Sequence, residues 1–133
     1  MDRKYWLVGV LACLVGLVAL SGTRAQDVKA TDEGKAEDFK EKSYDVKEKG
    51  EVAILLAFKG GKKVSLVVKS DKNSDINLFV YDGAKKLVAK DDSPGPDCDL
   101  TFTPKADSKL TLVISNLGPG DNRSTLKVKV SKD

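Results

Sequence analysis

Residues 75–105 read DINLFVYDGAKKLVAKDDSPGPDCDLTFTPK. Ile76, Leu78 and Val80 recur at every second position, and successive strand side chains point to opposite faces. Their spacing predicts a strand that buries one face. Asp82-Gly83 is hairpin chemistry, so Leu87 to Lys90 is read as the returning strand. Ser93-Pro94-Gly95-Pro96 cannot continue a ladder and forces a loop. Leu100 and Phe102 then share a face in a further strand.

The same grammar extends in both directions. Tyr44 and Val46 open a first strand, and residues 52–58, VAILLAF, form an apolar run of strand length. Gly60-Gly61 is read as a hairpin turn, with residues 63–70 returning and residues 71–74 as a polar turn. Residues 109–115 and 124–130 are strands on either side of a loop at residues 117–122. This gives seven to eight short strands at spacings of about 8–12 residues with no apolar helical stripe. The expected fold is all-β, an antiparallel, jelly-roll-like β-sandwich. It follows an N-terminal signal helix. Residues 26–42 are charged and poor in apolar side chains, and read as a flexible tether, with Phe39 able to dock on the domain. The sandwich domain is placed at residues 43–133.

The N-terminus carries Arg3 and Lys4, then sixteen uncharged residues at 5–20, then small residues up to Ala25. This is the layout of a secretory signal peptide, placed at residues 1–25. The apolar run falls short of the roughly 20 residues that span a bilayer. The expected location is secreted or periplasmic, with no membrane contact after cleavage. Processing removes Arg3, Lys4, Arg24 and Asp2, so the net charge falls from +3 to +1. That near balance gives no ground for nucleic-acid binding. Cleavage also leaves Cys98 as the single cysteine, which cannot form an internal disulfide. It is read as a small buried residue, with an intermolecular disulfide between two copies as the alternative.

The chain has no histidine. Ser-His and Cys-His nucleophile systems, the zinc-protease helix and most zinc sites are thereby excluded. Neither a Gly-x-Ser-x-Gly elbow nor a phosphate-binding Gly-Lys loop is present. An enzyme is not expected; a small carboxylate-dependent hydrolase is the outlying alternative. Two features are compatible with binding. First, Asp75 and Asn77 share a strand face, and the hairpin returns Asp91 and Asp92 toward them. Asn77 opposes Asp91 in one register, and Asp75 opposes Asp92 in another. Such hard oxygens suit calcium, and turn-forming, solvated acids are the alternative. Second, Phe79 and Tyr81 lie on the face opposite Ile76, Leu78 and Val80. In a two-layer sandwich that face is outward, so the two rings form a candidate partner patch for a protein or polysaccharide. Asn122-Arg123-Ser124 also matches a glycosylation sequon.

Three segments between residues 61 and 130 resemble the bacterial pre-peptidase C-terminal domain. They are Asp75-x-Asn77-Leu78-x-Val80-Tyr81-Asp82, Leu87-Val88-Ala89-Lys90-Asp91-Asp92, and Phe102-Thr103-Pro104. The strands around Leu112-Val113-Ile114 and residues 122–130 fit the family's closing strands. Asn77 stands where the family often has Asp, Ser108-Lys109-Leu110 replaces its Gly-Tyr lead-in, and Arg123-Ser124 stands where an aromatic commonly follows the loop asparagine. The resemblance implies a β-sandwich module of secreted proteins with a binding or accessory role. The expected function is therefore an exported, non-enzymatic binding module, calcium-stabilised if the acids converge. A structural or assembly component joined through Cys98 is the alternative.

Overall fold

A computed structural model describes residues 29–132; the expected leader lies outside them. Nine strands follow one another: β1 (Ala30–Lys35), β2 (Glu41–Val46), β3 (Glu51–Phe58), β4 (Val64–Ser70), β5 (Ile76–Tyr81), β6 (Leu87–Asp91), β7 (Cys98–Phe102), β8 (Ser108–Asn116) and β9 (Asn122–Val130). They form a larger sheet of five strands, ordered β1-β3-β8-β5-β6, and a smaller sheet of four, ordered β2-β9-β4-β7. All pairs are antiparallel except β1 with β3. The fold is the expected β-sandwich.

Alternation builds the core. Ile54, Leu56, Ile76, Leu78, Val80, Leu112 and Ile114 face inward from the larger sheet and are fully buried. Val64, Leu66, Val68, Leu126 and Val128 answer them from the smaller one. Removing such surfaces from water is worth roughly 25 cal/mol per Å² of apolar area, the main term holding the layers together.

The connections depart from the sequence reading. Among the described strands only β5 and β6 are consecutive in one sheet, and the other connections between them cross from sheet to sheet. Gly60-Gly61 is therefore not a hairpin turn, because β3 and β4 lie in opposite layers. The glycines are still required. A Cβ on Gly60 would sit 2.5 Å from the Ala106 backbone, and Gly61 adopts φ 81°. Gly61 N–H donates to the Pro104 carbonyl at 2.7 Å, which seals this crossing against the loop before β8.

The segment read as a tether holds β1 and the start of β2. β1 is mostly exposed and charged, and it is held by parallel backbone pairing to β3, from Ala30 opposite Ala53 to Lys35 opposite Ala57. A strand kept by its backbone leaves no side-chain alternation to read. Phe39 does pack against the core.

Two carboxylates close the open sides of the sandwich. On one side, Asp32 of β1 accepts from Tyr44 Oη (3.0 Å) and Lys42 Nζ (2.6 Å) of β2, joining the two sheets. The Lys42 bond and then the Tyr44 bond hold Asp32 below the usual carboxylate range. On the other side, Asp91 at the end of β6 accepts from Asp99 N–H of β7 at 2.8 Å.

Candidate functional site

The outward face of the larger sheet carries Phe79 and Tyr81, the two rings read as a partner patch. Register places Ala53, Val113, Phe79 and Lys90 side by side across β3, β8, β5 and β6, and Leu55, Thr111, Tyr81 and Leu87 in the next row. Although they point away from the core, Ala53 and Val113 are fully buried. The Phe79 and Tyr81 rings stack with centroids 6.3 Å apart and planes at 27°. Burial, then the nearby Glu51 charge, pushes the Tyr81 hydroxyl pKa up.

A bulge enlarges this face. The β5–β6 register shifts between Val80 and Tyr81, so that Val80 opposes Ala89 while Tyr81 opposes Leu87. Val88 is the extra residue. Leu87 and Val88 are left 48% and 43% exposed beside Tyr81, two of the large apolar side chains left most open to water. The sequence reading had Phe79 and Tyr81 on this face but missed Leu87 and Val88. Their adjacency breaks the alternation, and that break was the available signal for a bulge.

The four residues read as calcium ligands are divided. Leu78, not Asn77, opposes Asp91, so neither register considered from the sequence is formed. Asp91 consequently shares the inward face with Leu78. Its Oδ1 accepts from Ser93 N–H (3.1 Å) and Ser93 Oγ (2.6 Å), and its Oδ2 from Asp99 N–H. Burial raises its pKa, but these hydrogen bonds outweigh burial and the net shift is downward. Asp92 pairs with Lys90 at 3.1 Å on the exposed side. In β5, Asn77 lies opposite Ser115, and Asp75 directly precedes that strand. Asn77 is only 8% exposed. Asp75 Oδ1 and Asn77 Oδ1 are buried with no hydrogen-bond partner. Among the described residues no three histidines, cysteines or acids gather in a way that would hold a metal ion.

Cys98 is 2% exposed, and its thiol donates to the Ile76 carbonyl at 3.1 Å. Burial, then the Asp91, Asp97 and Asp75 charges, pushes the thiol up to about 12. A group so placed cannot meet a second copy without opening the β6–β7 corner. The Asn122 sequon is unusable in this fold. Its side chain is buried, donating to the Lys72 carbonyl at 3.3 Å and accepting from Ser124 Oγ at 3.0 Å.

No family model matches the chain, and no curated protein does. Solved structures do. CorA, a surface-associated copper-binding protein from Methylomicrobium album BG8, superposes with a TM-score of 0.62 at 10% identity, over 76% of this chain and 98% of that one. The pre-peptidase C-terminal domain of collagenase from Bacillus anthracis superposes with a TM-score of 0.52 at 12% identity, over 76% of this chain and 95% of that one. The fold is a pre-peptidase C-terminal domain-like β-sandwich. At these identities the likeness carries the architecture, and any activity has to be argued from this chain's own surfaces.

Proposed function

We infer that the chain is an exported, non-enzymatic binding module whose partner docks on the outward face of the larger sheet. The observation that carries this reading is the apolar platform of Phe79, Tyr81, Leu87 and Val88 on a face that the sandwich core does not use. Stacked rings beside aliphatic side chains suit a flat apolar surface, whether on a protein or on the ring face of a polysaccharide. Export rests on the leader pattern of residues 1–25. The absence of histidine and the dispersal of the acids favour binding over hydrolysis.

Capture from envelope extract tests the platform. Leu87→Glu with Val88→Glu alters exposed side chains, so the melting midpoint is expected to hold while a specifically captured partner is lost. Equal capture by wild type and variant would reject this face, and a wild-type bait that returns nothing above a bait-free control would reject the binding reading.

A calcium-stabilised form is the second reading, favoured by the unpartnered oxygens of Asp75 and Asn77. Asp91 and Asp92 are engaged elsewhere, so this pair is what is left of the expected ligand set. Calcium takes about six to eight oxygens, so backbone carbonyls or water would have to complete the shell. Melting in millimolar calcium against EDTA decides. A raised midpoint supports the site, and coincident curves remove it.

A further inference from the structure

The strands run so that residues 36–40, 59–63, 82–86, 103–107 and 131–132 meet at one end of the sandwich. These segments hold eight lysines against four acids, whereas the opposite end, at residues 47–50, 71–75, 92–97 and 117–121, holds three lysines against six acids. The near-neutral total hides an end-to-end polarity. The basic end also has a groove of about 570 Å³ between the segment before β2 and the end of β9.

Three properties of this groove point to one kind of occupant. Its floor is apolar, because Phe39, Val128 and Val130 are the open end of the core. Its rim is basic: Lys40, Lys62, Lys129 and Lys132 line it, and none of them joins an ion pair among the described residues. Of the acids on the rim, Glu41 is offset by Lys127 at 3.7 Å, which leaves Glu37. Third, a strand edge opens into it. The β2–β9 pairing ends with Glu41 opposite Lys127, and the final bond runs from Val128 N–H to the Lys40 carbonyl at 3.1 Å. By strand alternation the next backbone N–H and C=O on that side belong to Val130. The chain that would answer them turns away, since Asp38 N–H and Phe39 N–H both donate to the Lys35 carbonyl.

From this we propose that the basic end is a second docking site, distinct from the aromatic face, which takes an extended acidic peptide. The peptide backbone continues the β2 position along β9 at Val130, an apolar side chain sits over Phe39 and Val128, and carboxylates meet the lysines. An acyl lipid would fill the floor and neutralise the rim, but it has no groups for the strand edge. The mode is strand addition, with charge setting direction and partner choice.

Fluorescence anisotropy with the full-length protein tests it. The probes are a labelled peptide of alternating aspartate and valine, its lysine–valine counterpart, and an aspartate–valine peptide with N-methylated backbone amides. Phosphatidylglycerol vesicles form a separate arm. The acidic probe is expected to bind, the lysine and N-methylated probes to bind at least roughly tenfold more weakly, and Lys40→Glu with Lys129→Glu to weaken the acidic probe by a similar factor. Both lysines are exposed, so the variant's melting midpoint reports that it is folded. No binding of the acidic probe, equal binding of the N-methylated probe, or unchanged binding by the variant overturns the proposal. Vesicle binding without peptide binding assigns the groove to lipid and overturns it as well.

Discussion

Asp91 shows how much one side chain can decide. Both oxygens are occupied, by Ser93 on one and Asp99 N–H on the other, so this residue ties the loop after β6 to the first residues of β7 in the facing sheet. Asp91→Asn keeps the shape but must turn an amide NH₂ toward one of those donors. It is expected to cost about 1–2 kcal/mol at pH 7. The pH dependence follows from the lowered pKa. A carboxylate with a folded pKa below its unfolded value, about 3.9, contributes stability that is fully present above that value and lost as pH falls through the folded one. Melts of wild type and Asp91→Asn should therefore converge as pH drops below about 4. A constant gap from pH 7 to pH 2 would show that the charge is not what holds the corner. Cys98 lies in the same corner and titrates the opposite way. Its buried thiol is expected to alkylate at pH 8 on the order of a hundredfold more slowly in the folded protein than in denaturant, read by mass spectrometry on the Cys98 peptide. Fast native labelling would restore the disulfide-linked alternative.

At the scale of elements, the β5–β6 hairpin separates what the sequence makes legible from what it does not. The alternation of Ile76, Leu78 and Val80 predicts β5 and its buried face, because period-two patterning is a direct image of which side chains leave water. Turn type is less visible. Asp82-Gly83 reads as hairpin chemistry, but which residue of the loop turns left-handed is not marked; it is Lys85, at φ 65°. Asp82 Oδ1 accepts from Ala84 N–H (2.8 Å) and Lys86 N–H (2.9 Å), so the aspartate organises a longer loop. That longer loop and the bulge at Val88 move the register by one step, which is enough to put Asp91 on the inward face and disperse the expected calcium set. Sheet membership is the other hidden quantity. Hairpins and sheet-crossing turns both use glycine, and residues 59–63 carry no mark that distinguishes them. β1 was missed because backbone pairing holds it. Gly83 itself has open space around it and no positive φ. Gly83→Ala should therefore raise stability by about 0.4–1 kcal/mol through the unfolded chain. A lowered denaturation midpoint would mean that the glycine is needed for its backbone conformation after all.

For the molecule as a whole, the crossing pattern determines which strands can be removed. β9 is interior to the smaller sheet, paired with β2 on one side and β4 on the other, and it buries Ser124, Leu126 and Val128. β1 is an edge strand with one neighbour, and little of its side-chain surface is buried. The first and last of the described strands are thus unequal. A protein ending at Asp121 loses the strand that lies between β2 and β4 and uncovers the smaller-sheet half of the core; it is expected to show no cooperative melt. A protein beginning at Ala36 keeps that buried alanine and both sheets. What it loses is the parallel ladder and Asp32, the acceptor for the buried Tyr44 hydroxyl, at a cost of about 1–3 kcal/mol. Burial and the Asp32 bond together push the Tyr44 pKa far above its ordinary value in the intact protein. Absorbance titration of the shortened protein should therefore find Tyr44 ionising at lower pH, as both burial and the carboxylate are relieved. Loss of the cooperative transition in the protein starting at Ala36 would mean that β1 is integral to the core assembly rather than a strap closing its side.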